Sequence, residues 1–331
     1  LLSDKIMIFF VNSCTDAAFN LALEEIIAEK ADFEAVMLWR NASAVIVGRN
    51  QNTAAEIDAD FVRQNNIQVI RRITGGGAVY HDLGNINYTI VAPGRQTDEA
   101  AFARNAGFVT ELLAQLGVEA HFSGRNDILV GDRKVSGSAK SVLLNKTLFH
   151  GTLLFDTDIN VLSKVLTPSA NKIASKGIKS VRSRVANLKE FIPEMDKEQF
   201  WQTLQKLTSS YLQTVATPIP EEFIAEAEQL AESKYLKWDW NYGSVIKYAY
   251  NSRKKFSCGE VEIKFNVINN KIADFCINGD FFGDSPIGIL EKQFNDLCPQ
   301  YEIIAQKIPE MNLNEFISGI KDEEFLQLFD L

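Results

Sequence analysis

The feature that most constrains the fold is a run of three glycines between two apolar, strand-like segments. "IQVIRR" enters it from Ile67, "ITGGGAVYHDLG" forms it, and "NINYTIVA" leaves it through Ala92. Consecutive glycines carry no Cβ, so their N–H groups can converge on an anion and a ligand can lie against bare backbone. In P-loops and dinucleotide-binding turns the glycines open a helix, whereas here the next element is a strand and no GxxxxGK[ST] is present. A P-loop is therefore excluded and a dinucleotide fingerprint weakened. Arg71 and Arg72 precede the glycines, and Tyr80, His81, Asp82 and Asn85 follow. That polar set favours a ligand-binding loop over a plain hairpin turn.

The flanking pattern points the same way. A short strand, "IMIFFVN", precedes a helix that Thr15 or Asp16 can cap, with Phe19, Leu23, Ile26 and Ile27 at helical spacing. "AVMLWRN" and "SAVIVGRN" read as strands. A helix from about Asp98 to Leu116 ends near Gly117, and "NDILVG", "RKVSGSAKSVLL" and "TLFHGTLLF" read as further strands. Strands outnumber helices and cluster with short turns. This predicts an α+β fold with a mixed, largely antiparallel sheet, not a doubly wound parallel one.

From Asn160 to about Leu236 the pattern turns helical, with Pro218 and Pro220 leading into "EEFIAEAEQLAE". The aromatic-rich "KWDWNYGSVIKYAYNS" interrupts it. Beyond lie two alternating strands around an Asn269-Asn270 turn, then helices from Ile287 and Leu313. A chain of 331 residues suits one large core and one smaller one, so the expected division is a catalytic domain, residues 1–244, and a small α+β accessory domain, residues 245–331.

Composition removes several classes of function. With 46% hydrophobic and 23% charged residues the chain is ordinary for a folded protein, and a net charge of -9 disfavours non-specific nucleic-acid binding. Cys14, Cys258, Cys276 and Cys298 show no CxxC spacing, so neither a disulfide framework nor a thiolate zinc site is indicated and a reducing cytoplasm is expected. No apolar run approaches a membrane span, and no signal-peptide order is present. The first residue is Leu1 and the start reads as a trimmed end, so Leu1 to Lys5 carry no functional argument.

Three further stretches carry chemistry. In "GRNDILVGDRKVSGSAK", Lys134 follows a tight turn and precedes a strand of little bulk, so its ammonium could reach a neighbouring cleft. Asp127 could bind Mg2+ or orient that lysine. Taken alone, either is an ordinary hairpin residue. His150, opening "HGTLLF", reads as a structural histidine, since no other His or Cys lies at metal-ligand spacing. "NKIASKGIKSVRSRVANLK", Asn171 to Lys189, holds six basic residues and no acidic one, either a solvated face or a loop that closes on phosphate. No GxSxG elbow supports covalent serine chemistry.

Together "LWRN", "VIVGRNQN", "RRITGGGAVYHDLGN", "GRNDILVGDRKVSGSA", "HGTLLFDTD" and "SKGIKSVRSRVANL" resemble lipoate-protein ligase A of the bacterial type, over nearly the whole chain. The resemblance implies a catalytic domain of biotin/lipoate ligase type with an accessory domain that moves between the two half-reactions. It implies that ATP, with Mg2+, activates free lipoate to lipoyl-AMP, which is then transferred to a lysine of a lipoyl domain. Acceptors would be 2-oxoacid dehydrogenase acyltransferase subunits or the glycine-cleavage carrier protein. Matched onto this chain, Lys134 would be the catalytic residue. Arg72, Gly75, Gly76, Gly77, Ala78, Val79 and Tyr80 would hold the nucleotide and adenylate, with Asn85, His150, Lys176 and Arg182. Trp39, Arg72, Gly77, Lys134 and His150 would line the lipoate site, although Trp39 also reads as a core residue, and Asp127 would hold the metal. The rival reading is a lipoyl or octanoyl transferase on the same scaffold without its own activation step; no cysteine adjoins the matched loops.

Overall fold

A computed structural model describes residues 7–96, 100–166, 184–243 and 248–329. Its centre is an eight-stranded mixed sheet. In spatial order the strands are β11 (Ala216–Thr217), β1 (Met7–Val11), β2 (Glu34–Arg40), β6 (Asn85–Pro93), β10 (Lys146–Leu154), β9 (Arg133–Leu143), β8 (Asp127–Val130) and β7 (Ala120–Phe122). β1 pairs in parallel with both of its neighbours, and the other pairings are antiparallel.

Both faces of this sheet are covered, which explains why its central strands read as nearly continuous apolar runs. On β6, Ile86, Tyr88 and Ile90 pack towards the helices Ala100–Ala114 and Lys197–Leu212. The alternate residues face the first helix, Ala17–Lys30, which is capped by Asp16 accepting the Phe19 N–H at 2.8 Å. That helix is sandwiched between the sheet and the helix Glu221–Leu230, so its Glu24 and Glu25 are buried as well as its apolar residues.

A small sheet of β4 (Gln68–Arg71), β3 (Ala44–Val47) and β5 (Val79–His81) stands apart and carries the glycine loop between β4 and β5. The sequence pattern ran the loop directly into β6. The intervening strand, "VYH", is too short to show periodicity, and it moves the loop into a different sheet from the strand that follows. The helices Thr53–Glu56 and Ala59–Gln64 were equally invisible to pattern.

Residues 250–329 form a separate apolar cluster around β12 (Tyr250–Phe256), β13 (Gly259–Ile268) and β14 (Lys271–Gly279), with helices from Ile287, Tyr301 and Leu313. The Asn269-Asn270 turn has φ of 51° and 59°, the left-handed pair that closes a two-residue hairpin. The aromatic stretch that interrupts the sequence pattern holds a helix, Trp238–Tyr242, and the start of β12. Among the described residues no helix is long and apolar enough to cross a membrane.

Candidate active site

A cavity of about 140 Å³ lies between the large sheet and the small one. One row of its floor runs across three paired strands, Thr152 on β10, Asn87 on β6 and Trp39 on β2, and Gly137 on β9 adjoins it through its N–H to the Thr152 hydroxyl at 3.2 Å. The neighbouring row carries Ala139 and His150. Gly76, Gly77, Ala78, Val79, Ile46 and Leu21 close it from above and behind. Trp39, Leu21 and Ile46 are almost completely buried, so this end is blind, whereas the Lys134 side chain at the other end is about a third exposed.

Strand register explains how Lys134 reaches the cavity. Asp127 pairs with Gly137 and Ile128 with Ser136, but Leu129 pairs with Lys134, leaving Val135 as a bulged residue. In a regular strand residues 134 and 137 would point to opposite faces; the bulge turns Lys134 onto the face of Gly137. A Cβ at Gly137 would lie 2.5 Å from the Lys134 Nζ, so a side chain there would displace the ammonium from its place over the strand. Asp127 fixes it further, with one carboxylate oxygen 2.6 Å from Nζ.

The two arginines beside the glycine loop do different things. Arg71 spends its guanidinium on the backbone carbonyls of Gly48, Arg49, Gln51, Trp240 and Asn241 and on the Thr53 hydroxyl. It is a structural tie and does not line the cavity. Arg72 lines it, donating to the carbonyls of Ile46, Gly75 and Gly77 and to the Thr74 hydroxyl. These bonds turn the Gly75 and Gly77 carbonyls inward onto Arg72 and hold the loop's backbone against it. Gly76, at φ +91°, makes the turn, and a Cβ on the adjoining Gly48 would strike the Gly76 carbonyl at 1.9 Å.

Burial pushes the Arg72 pKa down to about 10, partly offset by the charge of Glu24. That carboxylate is connected to Arg72 through two side chains. Arg72 Nε donates to the Thr74 hydroxyl at 2.8 Å, so the Thr74 proton is available to His150 Nε2, also at 2.8 Å. His150 Nδ1–H then faces Glu24 at 3.1 Å. Trp39 Nε1 donates to the Thr89 hydroxyl at 2.8 Å, and Thr89 in turn donates to Glu24.

The C-terminal cluster contributes to the cavity wall. The Phe281 carbonyl accepts the Gly76 N–H at 3.2 Å, and Phe282 lines the cavity, its ring 5.7 Å from that of Phe102. Gly75 lies against the Phe281 carbonyl, 2.4 Å from where its Cβ would be.

Of the residues singled out by sequence, Trp39, Arg72, Gly76, Gly77, Ala78, Val79, Lys134 and His150 line the cavity. Asp127 adjoins it through Lys134. Gly75 faces Phe281; Tyr80 lies in the apolar cluster beneath the small sheet, its hydroxyl 3.0 Å from that of Ser43; Asn85 is buried against Asn87. Lys176 and Arg182 lie outside the described residues. Sequence reasoning missed Glu24, Thr74 and Asn87 as parts of the site and left His81 unassigned. The signals were there in an acidic pair inside an apolar helix, "LALEEII", and in polar residues at alternate positions of a buried strand, "NINYT".

A bulge-aimed lysine at the mouth of a blind slot, beside a glycine loop held by a buried arginine, fits an acyl-handling enzyme of the lipoyl protein ligase A/B catalytic class, whose family model matches residues 16–208. A second model, the bacterial lipoate protein ligase C-terminus, matches residues 246–329. The chain belongs to the lipoate-protein ligase family and is a ligase. It is 38% identical to lipoate-protein ligase LplJ of Bacillus subtilis, over 97% of this chain and 99% of that one. It is 36% identical to lipoate-protein ligase 1 of Staphylococcus aureus, over 96% and 98%. Among solved structures, P. falciparum LipL1 in complex with lipoate superposes with a TM-score of 0.76 at 29% identity, covering 97% of each chain. A bi-partite lipoate protein ligase from Thermoplasma acidophilum, studied with its E2 lipoyl domain, superposes at 0.65 with 30% identity over 74% of this chain and all of that one. Lipoate-protein ligase A bound with ATP does so at 0.61 with 28% identity over 73% and 99%.

Proposed function

We propose that this chain activates free lipoate with ATP and transfers the lipoyl group to a lysine of a lipoyl domain. The lipoate tail enters the blind slot towards Trp39, leaving its carboxylate beside Lys134 at the mouth. A carboxylate oxygen attacks the α-phosphorus of ATP, the bond to the β-phosphate oxygen breaks, and pyrophosphate leaves. The acceptor lysine, as a free amine, then attacks the acyl carbon; the bond to the AMP oxygen breaks and the amine proton passes to solvent. Lys134 serves both steps as a fixed positive charge against oxygens that gain charge. Arg72 shapes Gly75 to Tyr80 into the nest that receives phosphate, with Asn85 supporting from beneath, and His150 holds Thr74 and hence the loop. Trp39 and the aliphatic side chains around it receive the tail.

Magnesium binds with one or two carboxylates, completing its shell with phosphate and water. Asp127, whose carboxylate also pairs with Lys134, would supply one such carboxylate, and Mg2+ held there would neutralise charge on the triphosphate. Acceptors are lipoyl domains of 2-oxoacid dehydrogenase acyltransferase subunits or the glycine-cleavage carrier protein, and a cytoplasmic setting accords with the four free cysteines.

The observation that carries the reading is the placement of Lys134 Nζ over Gly137 at the slot's mouth. Incubation with magnesium-ATP, lipoate and an isolated lipoyl domain should add a lipoyl mass to the acceptor and release AMP and pyrophosphate. Lys134→Ala should slow this by about a hundredfold or more. Modification from synthetic lipoyl-AMP but not from ATP and lipoate would make the protein a transferase instead.

A further inference from the structure

Behind the blind end of the slot a chain of buried amides runs from Cys14 to His81, and its backbone contacts set its direction. The Cys14 N–H can only donate, and it donates to Asn12 Oδ1 at 3.0 Å. Asn12 Nδ2 therefore faces Asn20 Oδ1 at 2.8 Å, and Asn20 Nδ2 faces Asn41 Oδ1 at 2.9 Å. The carbonyls of Cys14 and Arg40, which can only accept, meet the same Asn20 nitrogen at 3.0 Å each and fix that amide independently; its two hydrogens are shared among three acceptors, and Asn41 turns its oxygen to it because a nitrogen there would set donor against donor. Asn41 Nδ2 then donates to His81 Nδ1 at 3.1 Å. With Nδ1 accepting, the neutral ring carries its proton on Nε2. Burial, Arg72 and His150 hold the ring neutral, depressing its pKa to about 3.

That Nε2–H is buried and meets no partner, although His81 is only 4% exposed and lines the cavity. Asn87 repeats the arrangement. Its Oδ1 accepts from Asn85 Nδ2 at 2.8 Å, which leaves its own Nδ2, in a residue 1% exposed, without a partner in the same cavity. Both flank Trp39: Asn87 is its register partner, and the His81 ring stands edge-on to it with centroids 6.3 Å apart. A buried donor left unpaired costs about 1–3 kcal/mol, so two of them at one end of one slot point to an acceptor on the ligand.

We infer that His81 and Asn87 hydrogen-bond the disulfide sulfurs of the lipoyl ring, making the blind end a selectivity filter for a dithiolane over an all-carbon tail. This rests on the ligase reading, which places the carboxylate at Lys134. From Gly137 on β9 to Asn87 on β6 is two strand spacings, about 10 Å. An extended eight-carbon acyl chain covers a similar span and brings its far end, where lipoate carries the ring, between the two donors. Divalent sulfur is a weak acceptor, yet it exceeds a methylene, which pairs with neither donor. Leu21, Ile46 and Trp39 supply apolar contact that any acyl tail could use, so discrimination falls to the two N–H groups.

The test is pyrophosphate release with magnesium-ATP and each of three acids. These are lipoate, octanoate, and the all-carbon analogue with a cyclopentyl ring in place of the dithiolane. The wild-type enzyme should favour lipoate over the ring analogue by about tenfold in kcat/KM, and His81→Phe and Asn87→Leu should each shrink that ratio several-fold. Equal use of lipoate and the ring analogue by the wild-type enzyme would overturn the inference and leave the ligase reading standing, and it decides the matter even where a variant does not fold. A wild-type preference that both folded variants retain would overturn it as well. Absence of pyrophosphate release with all three acids would instead defeat the ligase reading and this inference with it.

Discussion

His150 and His81 line the same slot, one from the large sheet and one from the small, and their hydrogen-bond environments are opposite. Around His150 every donor finds an acceptor: Arg72 to Thr74, Thr74 to the ring, and the ring to Glu24. Around His81 the chain of amides from Cys14 to Asn41 is equally ordered but stops one partner short, at Nε2. The closed network links the Glu24 carboxylate to the Arg72 guanidinium; the open one presents a donor to the cavity. The same residue type, buried to a similar degree, becomes scaffold or reader according to which ring nitrogen its neighbours occupy.

Breaking the closed network should have the larger effect. Arg72 is buried and its direct partners are all neutral, so Glu24→Leu removes the carboxylate that offsets its charge from beyond Thr74 and His150. A loss of about 3 kcal/mol in denaturant unfolding is expected, because the substitution also strips the acceptor from two buried donors, the His150 Nδ1–H and the Thr89 hydroxyl. A loss below about 1 kcal/mol would mean that the carbonyls alone accommodate Arg72.

The open network should show itself through pH. Unfolded His81 takes up its proton near pH 6.5 and folded His81 only near 3. Between those values the unfolded state binds more protons, so stability falls as the pH is lowered. Going from pH 7 to pH 5 should cost about 2 kcal/mol through this residue, with Arg72 and His150 as the titratable neighbours opposing its protonation. Stability curves of His81→Phe should be flatter over that range by the same amount. An unchanged slope would place the folded pKa of His81 near its ordinary value.

The smallest effect sharpens the contrast. Asn41 lies behind His81, outside the slot lining, and Asn41→Leu removes the group that holds Nδ1 as an acceptor. The ring then has no fixed tautomer, and the preference for lipoate over its all-carbon analogue should weaken about two- to threefold. Rescue by Asn41→Ser, which keeps a donor at that position, would separate orientation from packing. If Asn41→Leu leaves the preference intact, the ring keeps its tautomer without the amide.

What could be read before the fold was known follows the range of each interaction. The glycine loop, the Asp16 cap, the Asn269-Asn270 hairpin and the mixed sheet are consequences of local pattern, and the structure has them. The eight strands' order, the assignment of β3, β4 and β5 to a second sheet, and the bulge at Val135 depend on pairings distant in sequence. The paired arginines show the limit most clearly. Arg71 and Arg72 are adjacent and look equivalent, but they sit at the end of a strand where successive side chains diverge, and only one of them faces the slot. Glu24 shows the same limit: an acidic pair inside an apolar helix is visible in the sequence, but its partners come from strands 65 and 126 residues further on.

Arg71 also bears on the order in which the protein is made. Its main-chain N–H donates to the Asn241 side chain at 2.7 Å, its carbonyl accepts from Trp240 Nε1 at 2.8 Å, and its guanidinium grips the carbonyls of both residues. These partners lie some 170 residues downstream. On the ribosome β4 emerges long before them, so the strand that launches the glycine loop stays untethered on that side until Trp240 and Asn241 leave the exit tunnel. A nascent chain arrested before that point would contain the whole stretch matched by the catalytic family model and still lack the clasp behind its loop.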